Sequence, residues 1–217
     1  MGKTVVSAAL AAIVLERREP VRVLKPVQTG AGTDDDAGLV NRLVGADVAL
    51  TGWRFDLPAA PAVAARLEGA RLVPAELCSW VLAHAGTGTA IVETAGGVAV
   101  ELSEGYDMAD LAAWLGVGVV LVCRAGLGTL NHTVLSVEHL RARRADILGL
   151  VLSDPGGEPD PSQETNPAEL RRLTGLPILG TLGPMPLEDP ARFRAEAARA
   201  LGRALPDGPR IVPPTQN

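Results

Sequence analysis

Of the 20 basic residues in this 217-residue chain only two are lysines, Lys3 and Lys25; every other cation is an arginine. Two exceptions of this kind point to places where a compact ammonium is needed rather than a planar guanidinium. Lys3 lies in Met1-Gly2-Lys3-Thr4, the closing part of a G-x-x-x-x-G-K-[ST] phosphate loop, which runs directly into a helical pattern. In a complete loop, backbone N–H groups and the helix N-terminus surround the phosphates, the lysine reaches the β/γ oxygens and the hydroxyl ligates Mg²⁺. A solvated N-terminal helix is the alternative. Lys25 lies in Lys25-Pro26-Val27-Gln28-Thr29-Gly30, an ammonium and a hydroxyl following an apolar run. Its alternative is a strand closing in a Pro/Gly turn with a solvated lysine.

Carboxylates recur beside these cations. Asp34-Asp35-Asp36 reads either as a solvated turn or helix cap, or as the source of one Mg²⁺ ligand. In Glu93-Thr94-Ala95-Gly96-Gly97 a carboxylate meets a glycine turn after the apolar Ala90 to Val92; such a Glu can bind Mg²⁺ while the glycines admit phosphate or base to the backbone. An exposed Glu before a plain Gly turn is the other reading. Gly126-Leu127-Gly128-Thr129-Leu130-Asn131-His132 closes the strongest apolar run and starts a helix, whose free N–H groups can receive a carboxylate. Thr129 as an ordinary helix N-cap is the alternative there. His132 has neither a nucleophile nor a metal partner in view and reads as packing or capping. No Ser-His-Asp or Cys-His arrangement is present, so the chemistry is charge handling rather than covalent catalysis.

These residues need a frame. Short β-branched runs at Val21 to Leu24, Ala90 to Val92, Val117 to Val122, Ile147 to Leu152 and Pro177 to Leu182 predict strands. Between them Thr4 to Glu16, Asp36 to Val44, Pro74 to Ala85, Asp107 to Leu115, Leu130 to Arg144 and Asp189 to Leu205 predict helices. The alternation implies an α/β domain with a parallel sheet, whose ligands sit at the carboxyl ends of its strands. Asp154 to Asn166, rich in Pro, Gly and acids, reads as a surface loop near that edge.

A chain that is 47% hydrophobic and 21% charged buries one core, so residues 1–217 form a single domain. A net charge of −5 provides no general attraction to nucleic acid or an anionic membrane, and small-molecule chemistry is expected. No apolar run reaches the roughly 20 residues of a membrane span, and no leader pattern opens the chain, which places the protein in the cytoplasm. Cys78 and Cys123 sit among apolar residues without metal-ligand spacing and read as buried reduced thiols.

Gly-Lys-Thr, Lys-Pro-Val-Gln-Thr-Gly, the acidic cluster, Glu-Thr-Ala-Gly-Gly and Gly-Leu-Gly-Thr-Leu-Asn-His occur in the order and spacing of the dethiobiotin synthetases, and the chain resembles that family through nearly its whole length. The resemblance implies a P-loop NTPase-like three-layer fold and an ATP- and Mg²⁺-dependent cyclo-ligase of biotin biosynthesis. It implies a nucleotide site from Gly2, Lys3, Thr4 and Val5, the turn Glu93, Thr94, Ala95 and Gly96, and Ser153 with Asp154. Pro184, Met185 and Pro186 would line the nucleotide, while Thr4, Asp36 and Glu93 would surround Mg²⁺. Lys25 would be the catalytic lysine. Thr29 would contact 7,8-diaminononanoate, and Gly128, Thr129, Leu130 and Asn131 would hold its distal carboxylate at a homodimer interface. In the family's reaction an amine takes up CO₂ as a carbamate, the carbamate accepts the γ-phosphoryl group, and the second amine closes the ureido ring.

Two departures from the family pattern carry consequences. The first strand and early phosphate-loop residues have no counterpart, which implies an N-terminally truncated domain; the family commonly has Val where Met1 stands, and a GTG codon read as a start would print Met. Ser153-Asp154 stands where the family often has Asn-Asp, and a serine lacks the amide's paired donor and acceptor for adenine. The rival readings are a non-catalytic or regulatory descendant of the family, and a related P-loop amidoligase or partitioning-type ATPase.

Overall fold

A computed structural model describes residues 2–33, 35–158 and 160–202. Met1, Asp34 and the end of the helix expected to reach Leu205 lie outside them. In chain order the elements are α1 (Lys3–Glu16), β1 (Val21–Thr29), α2 (Asp36–Val44), β2 (Ala49–Phe55), α3 (Pro61–Leu67), α4 (Pro74–His84), β3 (Thr89–Val92), β4 (Glu101–Ser103), β5 (Tyr106–Asp107), α5 (Met108–Leu115), β6 (Val119–Arg124), α6 (Thr129–Ala142), β7 (Ile147–Ser153), α7 (Ser162–Thr174), β8 (Ile178–Leu182) and α8 (Pro190–Leu201).

Helix α1 is buried without a break from Val6 to Val14, because its alanines let it lie between the sheet on one side and α2 and α8 on the other. These three helices cover one sheet face with Val21, Val23, Val151 and Leu182. On the opposite face α3, α4 and α5 pack against Leu24 and Val27, and α6 and α7 against Leu121, Leu150 and Leu152. The result is the expected three-layer α/β arrangement.

The large strands are parallel but form two separate sets, β2-β1-β3 and β6-β7-β8, beside a small antiparallel β4-β5 pair. Among the described residues β3 pairs only with β1, and β6 only with β7. Thr89 to Val92 and Val119 to Val122 instead line a cavity of about 420 Å³, backed by Val6, Leu10 and Val14 of α1.

Strand β1 runs five residues beyond the expected Leu24, so Lys25 and Pro26 lie inside it. Proline is tolerated for a local reason. The Leu24 carbonyl accepts from the Glu93 N–H, and β3 ends at Val92, the partner of Leu24, so no β3 residue stands opposite Pro26 to need its N–H. Strand β2, with its mixed Thr-Gly-Trp-Arg sequence, and α3 have no counterpart in the sequence reading. Neither has α7, which begins inside the segment read as a surface loop and carries Pro167 in its interior.

Candidate active site

Four segments far apart in sequence deliver their polar groups to one point. Lys25 on β1 and Glu93 just beyond β3 are both buried, and the Lys25 ammonium donates to Glu93 Oε1 at 3.0 Å. It also pairs with Asp36 Oδ2 at the start of α2. Thr4, in the first turn of α1, places its Oγ1 2.7 Å from Glu93 Oε1 and 3.1 Å from Asp36 Oδ1. One hydroxyl proton cannot serve two carboxylates at full strength, so this oxygen-rich cluster holds acceptor capacity in reserve. Lys3 stands beside it at the mouth of the cavity with Glu93, Thr94 and Gly96. Burial, the leading cause, pulls the Lys3 ammonium below the ordinary lysine value; Glu93 opposes this, Lys25 adds to it and Asp36 opposes it again.

The acidic cluster divides its work. Asp35 is the N-cap of α2, accepting the Gly38 N–H at 3.0 Å, and its carboxylate faces Arg54 at 3.8 Å. Asp36, one residue on, turns into the site.

Gly2 precedes α1 with φ of 78°, a left-handed conformation that costs glycine nothing. A Cβ there would lie 2.5 Å from Ser153 Oγ, so the start of α1 abuts the carboxyl end of β7. Asp154 follows, its side chain accepting the Gly156 N–H at 3.0 Å, and Gly156 packs against Pro184 beyond β8. Met185 is half-buried against the α1/α2/α8 core, and Pro186 is half-buried beside it. Val5 also packs toward that core, which leaves its backbone rather than its side chain for a ligand. The residues expected to meet a nucleotide thus gather at the ends of α1, β7 and β8, beside the Lys25 cluster.

Thr29 ends β1, half-buried, with its carbonyl taken by the Gln28 amide at 3.0 Å. The turn before α6 lies at the carboxyl end of β6. Its N-cap is Gly128, with φ of 87°, rather than Thr129. Thr129 is instead the buried first residue of the helix, its hydroxyl 3.3 Å from that of Thr133. Asn131 and His132 are exposed, and Leu130 packs inward. His132 therefore does not serve the core as packing. Both cysteines are free and buried. Asn166, a buried side chain tied to the α6 turn, gives no signal in the sequence, because the Pro, Gly and acidic content of its segment reads as a surface loop.

The chain matches an AAA domain family, AAA_26, over residues 1–192. It is 40% identical over 214 residues to the ATP-dependent dethiobiotin synthetase BioD of Rhodococcus erythropolis, covering 94% of this chain and 93% of the relative. It is 41% identical over 216 residues to the BioD of Streptomyces coelicolor, covering 94% and 89%, and 39% identical over 194 residues to that of Haloferax mediterranei, covering 88% and 82%.

The chain belongs to the dethiobiotin synthetase family. Its fold is shared with P-loop ATPases: the septum site-determining protein MinD complexed with Mg-ADP from Pyrococcus horikoshii aligns with a TM-score of 0.58 at 18% identity, over 94% of this chain and 88% of that one. The cell division ATPase MinD of Pyrococcus furiosus aligns with a TM-score of 0.54 at 19% identity, over 91% and 82%. A dethiobiotin synthetase has to gather a triphosphate and an acidic substrate in one place, and the Lys3, Thr4, Lys25, Asp36 and Glu93 cluster is where this fold concentrates charge.

Proposed function

We infer that the chain forms dethiobiotin from 7,8-diaminononanoate, CO₂ and ATP, releasing ADP and phosphate. The observation that carries this reading is the convergence of two ammonium groups, two carboxylates and a hydroxyl beside the carboxyl end of β3. A reaction that brings a carbamate oxygen up to a γ-phosphoryl group crowds negative charge, and fixed cations must offset it. One substrate amine adds to CO₂ and loses a proton, giving a carbamate. A carbamate oxygen then bonds to the γ-phosphorus as the bond to the β,γ-bridging oxygen breaks and ADP leaves. Attack of the second amine on the carbamoyl carbon closes the ring, with loss of a proton and expulsion of phosphate.

In this scheme Lys25 is the catalytic cation at the carbamate and the transferring group, Lys3 binds the β/γ-phosphate oxygens, and Thr29 contacts the diamine. Thr4, Asp36 and Glu93 would hold Mg²⁺, which supplies further charge neutralisation. A hydroxyl and two carboxylates are hard oxygen donors, and a cation that shares its remaining positions with phosphate and water needs no larger protein cage. The amides of Gly128 to Asn131 receive the substrate's distal carboxylate. Gly2, Val5, Thr94 to Gly96, Ser153, Asp154 and Pro184 to Pro186 enclose the nucleotide.

Incubation with diaminononanoate, ¹³C-bicarbonate, ATP and Mg²⁺ should give dethiobiotin one mass unit heavier, with one phosphate per product. Lys25→Ala should abolish both while the protein stays folded. Product formation by a folded Lys25→Ala variant at the normal rate removes Lys25 from the mechanism.

We also propose that α6 faces a second copy of the chain. Leu127, in the turn before α6, and Leu135, one helical turn beyond the exposed Asn131, are 78% and 62% exposed. Sedimentation should show a dimer that Leu135→Glu splits; a wild-type monomer at micromolar concentration counts against it. No described helix is long and apolar enough to cross a membrane.

Finally, we propose that the gap between β3 and β6 receives one extended segment, parallel to both. Two facing edges whose N–H and C=O groups have no partner strand among the described residues, over an apolar floor, are stable when a strand lies between them.

A further inference from the structure

The turn between β6 and α6 is gripped by α7 and the residues just before it. Asn166, buried in α7, donates from Nδ2 to the Ala125 carbonyl at 2.7 Å, the Gly126 carbonyl at 3.2 Å and the Ser162 hydroxyl at 3.2 Å. Asp160 accepts the Leu127 N–H at 2.6 Å on one carboxylate oxygen, and the Ser162 N–H and hydroxyl on the other at 2.9 and 2.7 Å. Ser162 thus donates its only hydroxyl proton to Asp160 and accepts from Asn166, which joins the three side chains in one network. The approach is close: a Cβ on Gly126 would lie 2.4 Å from Asp160 Oδ2.

The Ala125 N–H is also engaged, donating to the Ser153 carbonyl at 3.0 Å. Backbone groups of residues 125, 126 and 127 are therefore tied to the segment that leaves β7 and returns as α7. Gly128 and the first turn of α6 follow immediately, so the direction of their amides is set by this grip.

We propose that Asn166, supported by Asp160 and Ser162, is a positioning residue for substrate binding: it fixes the turn whose amides receive the distal carboxylate of the diamine. The proposal rests on the reading of Gly128 to Asn131 as the carboxylate site. Asn166 touches no reacting atom. Its role is to hold the buried Ala125 carbonyl and to share the Gly126 carbonyl with the Thr129 N–H, which lies 3.3 Å away, and an Asp at this position turns these attractive contacts into repulsive ones. The same segment begins at Ser153 and Asp154, so the carboxylate turn and the nucleotide side of the site share one support.

The test compares diaminononanoate with the same diamine lacking its terminal carboxylate. Asn166→Asp should raise KM for diaminononanoate about tenfold or more, leave KM for ATP and kcat at saturation within about threefold, and leave the carboxylate-free diamine unaffected. Asp160→Ala, which removes only the surface arm of the grip, should shift the same KM in the same direction, and it decides the matter if Asn166→Asp does not fold. Equal losses with both diamines, or kcat and both KM values moving together, mean a merely structural role and overturn the proposal. Gly128→Ala separates the two levels. If it weakens discrimination between the diamines while the Asn166 and Asp160 variants do not, the positioning role is wrong and the carboxylate site stands. If Gly128→Ala leaves the discrimination intact, the carboxylate site itself lies elsewhere and the proposal goes with it.

Discussion

Lys25 is buried and engaged by two carboxylates, and its neighbours set the shape of cation that fits. A guanidinium is planar and wider than an ammonium, so Lys25→Arg should keep the charge but fail to fit between Asp36 and Glu93. We expect that variant to lose at least about a hundredfold in kcat with little change in ATP binding, on the scale set by removal of one preorganised donor; wild-type turnover would show that only charge matters there. Asp36 and Glu93 form the opposite half of the cluster. Glu93→Gln or Asp36→Asn should raise the Mg²⁺ concentration for half-maximal activity about tenfold or more, and by more than either change lowers Tm. Metal titrations of both variants that overlay the wild type would remove the assigned roles. The motifs made these residues visible one by one. Their mutual contacts were not visible, because Thr4 and Glu93 are brought together across 89 positions of chain by the fold alone.

Outside the site, a polar tie joins α5 to α6. Asp107 is the N-cap of α5 in a capping box with Asp110, and its second oxygen meets His139 Nε2 at 2.7 Å and Arg143 at 3.4 Å. Burial pushes the Asp107 carboxyl up, but hydrogen bonds from the Asp110 and Ala109 amides and from His139 outweigh it, and the group sits below the ordinary value of 3.8. A carboxyl depressed in the folded state contributes stability that is fully present above its unfolded value and is lost as pH falls through its folded value. Asp107→Ala should therefore cost about 1–2 kcal/mol near neutral pH, with the wild-type advantage shrinking as pH drops below 3.8. Urea denaturation across pH 2 to 7 checks this; a difference independent of pH would place the cost in packing instead. Helices of this kind, with caps and Gly stops, were legible from sequence to within a residue or two: α2 matches its expected span. Helix α7 was not, because its polar first turn and interior Pro167 imitate a loop, while its buried Leu170 and the Asn166 bonds to the turn after β6 tie it to the fold.

At the level of the whole molecule, two half-sheets share one layer of helices and face each other across a cavity. A form with an apolar strand and a glycine-rich phosphate loop fused ahead of Gly2 should pair with β3 and β6 and offer backbone N–H groups to the phosphates. We expect it to be more active than the 217-residue chain by several orders of magnitude, since each preorganised donor is worth roughly 2.7–4 kcal/mol at a transition state. Equal phosphate release from the two forms would refute the gap-filling strand. The sequence by itself determined the α/β class, the order of the elements with clear periodicity, which leaves out β2, α3 and α7, and Lys3, Lys25 and Glu93 as residues for charge handling, because apolar periodicity and glycine-terminated motifs are local properties. Tertiary structure alone decided which strands are neighbours, that Asp36 turns into the site while Asp35 caps a helix, and that Asn166 holds the α6 turn. Each of those depends on which surfaces pack together, and packing joins residues through space without leaving a spacing in the chain.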